Sequence, residues 1–139
     1  MYSDMNDHLV NLEHCGSRNL RCAYLVLLLA AERSGYRTRA NPEGAIRELH
    51  IRDDAGNQPF AVIVNQASLL FYLRRPALDA QPGLAGQATS RFPGRVLGDS
   101  NSLNEIRIRI DNEGEAEDIA DWLFAAPGLT HGYEARRSV

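Results

Sequence analysis

A chain of 139 residues that is 44% hydrophobic and 24% charged is long enough to close one core without disulfides or metal, and this composition excludes a disordered or fibrous class. Net charge is −3, which implies no bulk attraction to nucleic acid, and all fifteen Lys and Arg positions are arginine, which excludes a Schiff-base lysine, a P-loop lysine and a Ser–Lys dyad. The N-terminal MYSDMNDH has acids where a secretory leader has bases, and the apolar run Cys22–Ala31 falls well short of the roughly 20 residues of a membrane-crossing helix, so the sequence reads as a cytoplasmic protein with reduced thiols.

Asp7–His14 suits a short helix with Leu9, Val10 and Leu12 inward, broken by Gly16. Ser17 or Asn19 then caps a helix from about Leu20 to Ser34, with Gly35 just past its end. The apolar residues of that helix cover nearly its whole circumference, which predicts burial on most sides, Cys22 included. Cys15, nearer a loop, is expected to be the more reactive thiol.

The middle of the chain reads as antiparallel strands. Ala45–Arg52 alternates, with Leu49 and Ile51 on one face and Glu48, His50 and Arg52 on the other. The cluster Asp53–Asn57 is a turn whose Gly56 suits positive φ. Pro59–Asn65 is apolar on both faces, as a central strand is, and Asn65–Ser68 turns into Leu69–Leu73. Residues 76–103, punctuated by Gly and Pro, read as a long loop holding a short edge strand within Phe92–Leu97. Glu105–Asp111 alternates without a fault, three isoleucines inward and four charges outward. A capping box at Asn112–Glu115 opens a last helix to Ala125, with Ile119, Trp122, Leu123 and Phe124 inward, and Ala126–Gly128 ends it.

The fold expected is α+β: an antiparallel sheet of four to five strands with an N-terminal and a C-terminal helix packed on one face. Residues 1–128 form one domain and 129–139 a flexible tail. Ile106, Ile108, Ile110, Val62, Val64, Phe71, Leu27, Ile119 and Trp122 should share the core. The opposite face would carry Glu105, Arg107, Arg109, Asp111 and some of Glu48, His50 and Arg52.

His8, His14, Cys15 and Cys22 are ligand types that zinc accepts, but no Cys-x2-Cys pair is present, and they read as ordinary packed or exposed residues. No local signature marks either cysteine as a nucleophile. Asp53, Asp54 and Asp111 end strands, with Glu48 and Glu105 on them, as carboxylates of a metal-dependent nuclease would; turn formation and a helix start explain the three aspartates more simply. No catalytic residue, metal or cofactor is assigned.

Two concentrations of charge remain. Arg74, Arg75, Arg91, Arg95, Arg107 and Arg109 face only three acids between residues 74 and 110. Gathered into one patch, with Tyr72 beside it, they would grip phosphates or an acidic protein. Asp111, Glu113, Glu115, Glu117, Asp118 and Asp121 then put more acid at one helix start than a cap requires. Such a cluster would attract a basic surface on a nucleic-acid-binding partner. The pattern implies an interaction protein that binds a protein or nucleoprotein complex, as inhibitors or accessory factors of nucleic-acid machinery do, phage anti-defence proteins among them. The alternative is a small nucleic-acid-binding or nucleic-acid-processing protein that uses the arginines. Negative net charge and the denser acidic run favour the first.

Overall fold

The computed structural model of the protein describes residues 5–41, 46–97 and 105–124. Two helices come first, α1 (Met5–His14) and α2 (Arg18–Arg33), followed by the strands β1 (Arg37–Asn41), β2 (Arg47–Arg52), β3 (Phe60–Val64) and β4 (Leu69–Leu73). Two short helices, α3 (Arg75–Ala80) and α4 (Leu84–Arg91), lead to the edge strand β5 (Val96–Leu97), then β6 (Ile106–Ile110) and the helix α5 (Glu113–Leu123). The six strands form one sheet in the order β1-β2-β3-β4-β6-β5, antiparallel throughout. The fold is α+β, with more strands than the pattern of large apolar residues predicts.

One face of the sheet makes the core. Leu49, Val62, Phe71 and Ile108 lie in register across four strands, and Ile51, Phe60, Leu73 and Ile106 form the next row. All eight are buried, and each of the five helices adds buried or half-buried apolar residues to the same cluster, among them Leu12, Leu27, Ala77, Leu84 and Ile119. Stacking all the helices on this face uses alternate residues of every strand and leaves the others outside the core. Trp122 is only half-buried: its Nε1 donates to Gln87 Oε1 at 3.0 Å while its ring packs on Phe92.

Local signals account for most helix ends. The Ser17 side chain accepts from the Leu20 amide and caps α2; the Asn112 side chain accepts from the Glu115 amide and caps α5. The Glu115 carboxylate reaches back to the amide of Asp111, one residue before the cap. Gly16 donates its amide to the Gln66 carbonyl at 2.8 Å, and a side chain there would run into that carbonyl, so the α1–α2 link is pinned to the β3–β4 turn only because residue 16 is glycine.

Three expectations about the first two helices and their thiols are corrected. In α1, Leu9 and Val10 face outward, and His8 and Asn11 face inward instead. The reason is the buried Tyr24 hydroxyl beneath them, 2.9 Å from His8 Nδ1 and accepting from Asn11 Nδ2, which also donates to the Glu48 carbonyl at 2.8 Å. A buried hydroxyl needs partners, and it draws polar residues to the inward positions. In α2, Leu25 and Leu29 are exposed, because a helix lying on one sheet face buries one side only. The thiols are reversed as well: Cys15 is buried with its Sγ turned to the Asn11 carbonyl, and Cys22 is half-buried.

The stretch expected to be a loop holds α3, α4 and β5. Pro76 sits in the first turn of α3, where its missing N–H costs no hydrogen bond, and Gly83 caps α4. Residues read as breakers thus act as helix starters. Residues 98–104 and 125–139, where the rest of that loop, the end of the last helix and the tail were expected, lie outside the described residues.

Candidate functional site

Alternation puts a second set of side chains on the face away from the helices. Register aligns Arg39, His50, Ala61, Tyr72, Arg107 and Leu97 in one row across all six strands. A parallel row holds Asn41, Glu48, Ile63, Leu70 and Arg109, and Arg37 stands directly opposite Arg52. Ile63, Leu70 and Tyr72 are half-buried and belong to no part of the helix-covered core. Among the described residues, no helix packs on this face.

The ion pairs at this face leave an imbalance. Glu48 Oε2 lies 2.6 Å from His50 Nε2, Glu105 takes the Arg74 guanidinium at 3.0 Å, and Asp111 takes that of Arg109 at 2.9 Å. Arg37, Arg39, Arg52 and Arg107 have no ion pair among the described residues. Arg37 and Arg52 are moreover cross-strand neighbours, and like charges in that position are destabilising. The centre of the face is apolar and aromatic, with Ile63, Leu70, Ala61 and Tyr72, and guanidiniums flank it on both sides.

The predicted arginines separate accordingly. Arg107 and Arg109 share the open face. Arg74, at the end of β4, joins its rim through Glu105. Arg75 pairs with Asp79 within α3, and Arg91 lies over the Trp122 ring on the helical side. Arg95 forms an ion pair with Glu115 and donates to the Arg109 carbonyl, so it ties β5 to β6 and to the start of α5. Three arginines of the face were not among those singled out. Arg37 and Arg39 lie on β1, an unpredicted strand whose inward residues Thr38 and Ala40 are too small to show an apolar alternation. Thr38 is held by Glu32 Oε2, which accepts from its hydroxyl at 2.6 Å and from its amide at 3.2 Å. The alternation of β2 puts Arg52 on this face, but no spacing in the sequence joins it to the other arginines. The one available signal was Arg-x-Arg at residues 37–39, a spacing that puts both side chains on one face of a strand.

The acids near α5 are partly committed to structure. Asp111 and Glu115 hold Arg109 and Arg95, and the Glu113 amide is capped by Asn19 Oδ1 at 2.8 Å. Glu117, Asp118 and Asp121 are exposed and make no ion pair among the described residues. Burial raises the pKa of the Cys15 thiol and, far more, that of the Tyr24 hydroxyl. Among the described residues, no three His, Cys, Asp or Glu side chains converge as a metal site, and no helix is long and apolar enough to cross a membrane.

Comparison with protein-family models, with curated proteins and with solved structures returned no match for this chain.

Proposed function

We propose that this chain is a binding module that takes a polyanionic partner on the open face of its sheet, as a component or modulator of nucleic-acid machinery. The observation that carries this reading is the set Arg37, Arg39, Arg52 and Arg107, four guanidiniums on one sheet face without carboxylate partners among the described residues. Guanidinium forks bind phosphate and carboxylate in two-point fashion, and an anion seated between Arg37 and Arg52 would relieve their repulsion. A net charge of −3 does not oppose this, because the acids concentrate elsewhere. Immobilised heparin is the simplest probe. The protein is expected to be retained at low salt and released as salt rises, and the Arg37→Gln/Arg39→Gln/Arg107→Gln variant should pass through. Absence of retention, or equal retention of the variant, would overturn the reading.

The exposure of Glu117, Asp118 and Asp121 favours a second reading, in which α5 docks a basic surface of a protein partner. Neutralising those three positions (Glu117→Gln/Asp118→Asn/Asp121→Asn) should then slow association with that partner without weakening heparin retention.

A further inference from the structure

We infer that the polyanion is a single-stranded nucleic acid, laid across the strands along the row Arg39, His50, Ala61, Tyr72 and Arg107, with a base stacked on Tyr72. This rests on the polyanion reading and narrows it. Strand spacing places Arg39 and Arg107 about 19 Å apart, with the phenol ring and the imidazole between them. A chain whose charged and planar groups alternate matches that row: phosphates meet the guanidiniums at its ends, and bases cover its planar and apolar middle.

A duplex fits less well. Its bases are stacked inward, so Ile63, Leu70 and Tyr72 would meet only sugar and phosphate, and the described face projects no helix or ribbon into a groove. A second copy of the same face would set arginine against arginine. An acidic peptide would satisfy the guanidiniums but makes no special demand on the ring of Tyr72. The acids of the face, Glu48, Glu105 and Asp111, lie outside the row itself, and each already holds a basic side chain, His50, Arg74 and Arg109 in turn.

The experiment measures binding of the full chain to fluorescent oligo(dT) and oligo(U) of about 12 nucleotides, a length within the usual range for one domain. Duplex DNA of matched length and poly-glutamate serve as competitors. Between about 50 and about 200 mM salt, log Kd should change with a slope near 3 when Arg37 and Arg52, beside the row, each meet a phosphate as Arg39 and Arg107 do, since each phosphate contact of a single strand contributes about 0.7. Arg107→Gln and Arg39→Gln should each lower that slope by about 0.7. Tyr72→Leu keeps an apolar strand residue and removes the stacking surface; it should weaken binding about fivefold to about 150-fold with little change in slope, and Tyr72→Phe should restore it. An Arg18→Gln/Arg21→Gln variant, altered on the helical side, should bind as the parent does. Thermal unfolding of each variant separates loss of the site from loss of the fold.

If duplex DNA or poly-glutamate binds as tightly as the single strands, or if Tyr72→Leu binds as well as Tyr72→Phe, the stacking inference falls while the polyanion reading stands. If heparin, duplex, peptide and single strands all fail to bind, both fall together.

Discussion

The two faces of the sheet are made from alternate residues of the same strands, and they treat their side chains in opposite ways. On the helical face, Phe71 and its row are fully buried, and the polar groups drawn inward bond to one another, Tyr24 with His8 and Asn11 and Thr38 with Glu32, with Asn11 Oδ1 left over among the described residues. On the other face, arginines stand across from one another, and four of them have no carboxylate among the described residues. Folding stability therefore comes mainly from one side of the sheet. The other side carries Arg37, Arg39, Arg52 and Arg107, which the described carboxylates leave unmatched, and this is the contrast on which the proposed binding rests.

Adjacent residues of β4 give the sharpest test of that contrast. Phe71→Ala removes a ring packed against Phe60 and Phe124 and should cost about 3–5 kcal/mol in denaturant unfolding. Leu70→Ala, on the open face, should cost no more than about 1 kcal/mol, the scale of a cross-strand contact. Similar losses at the two positions would mean that something also covers the open face.

A second test uses alkaline pH. Burial raises the folded pKa of Tyr24 well above its ordinary value near 10. The unfolded state therefore loses this proton first. The stability linked to Tyr24 is fully present below about pH 10 and is lost as pH rises toward the folded value, at up to about 1.4 kcal/mol per pH unit. Tyr24→Phe should flatten that limb of the stability curve. Cys15 and Tyr36, also raised by burial, should account for what slope remains. An unchanged slope in Tyr24→Phe would show that its hydroxyl is accessible.

The thiols offer a smaller effect of the same kind. Cys22 should react with an alkylating reagent more than about tenfold faster than Cys15, whose labelling waits for local opening. Equal rates would place α1 away from the core.

The smallest expected effect concerns the open face itself. Arg52→Glu replaces a like-charge neighbour of Arg37 with an opposite one and should raise stability by about 0.2–1 kcal/mol while weakening heparin retention. A fall in stability would mean that Arg52 has a partner in the folded chain.

Much of the fold is legible in the sequence because periodicity reports which side of an element meets apolar neighbours. Ile106, Ile108 and Ile110 announce β6, and Ser17, Gly35 and Asn112 mark helix ends through local backbone chemistry. What stayed hidden lacked a strong local signal. β1 turns inward only Thr38 and Ala40, and the starts of α3 and α4 carry residues that also make loops, Pro76 in the first turn of α3 and Gly83 just before α4. The site was half legible. Arg107 and Arg109 share a face by spacing alone, whereas adding Arg37, Arg39 and Arg52 to them required strand order.

The α+β class, the inward isoleucines of β6 and the outward direction of its arginines can be read from the chain without its fold, because they follow from side-chain alternation along single segments. That the helices of the described residues all lie on one face, that His8 and Asn11 turn inward to Tyr24, and that arginines from β1, β2 and β6 share one open surface emerges with the packing of the folded chain. Each of these depends on which distant segments become neighbours. That pairing is set by the burial of the whole chain, which local periodicity does not encode.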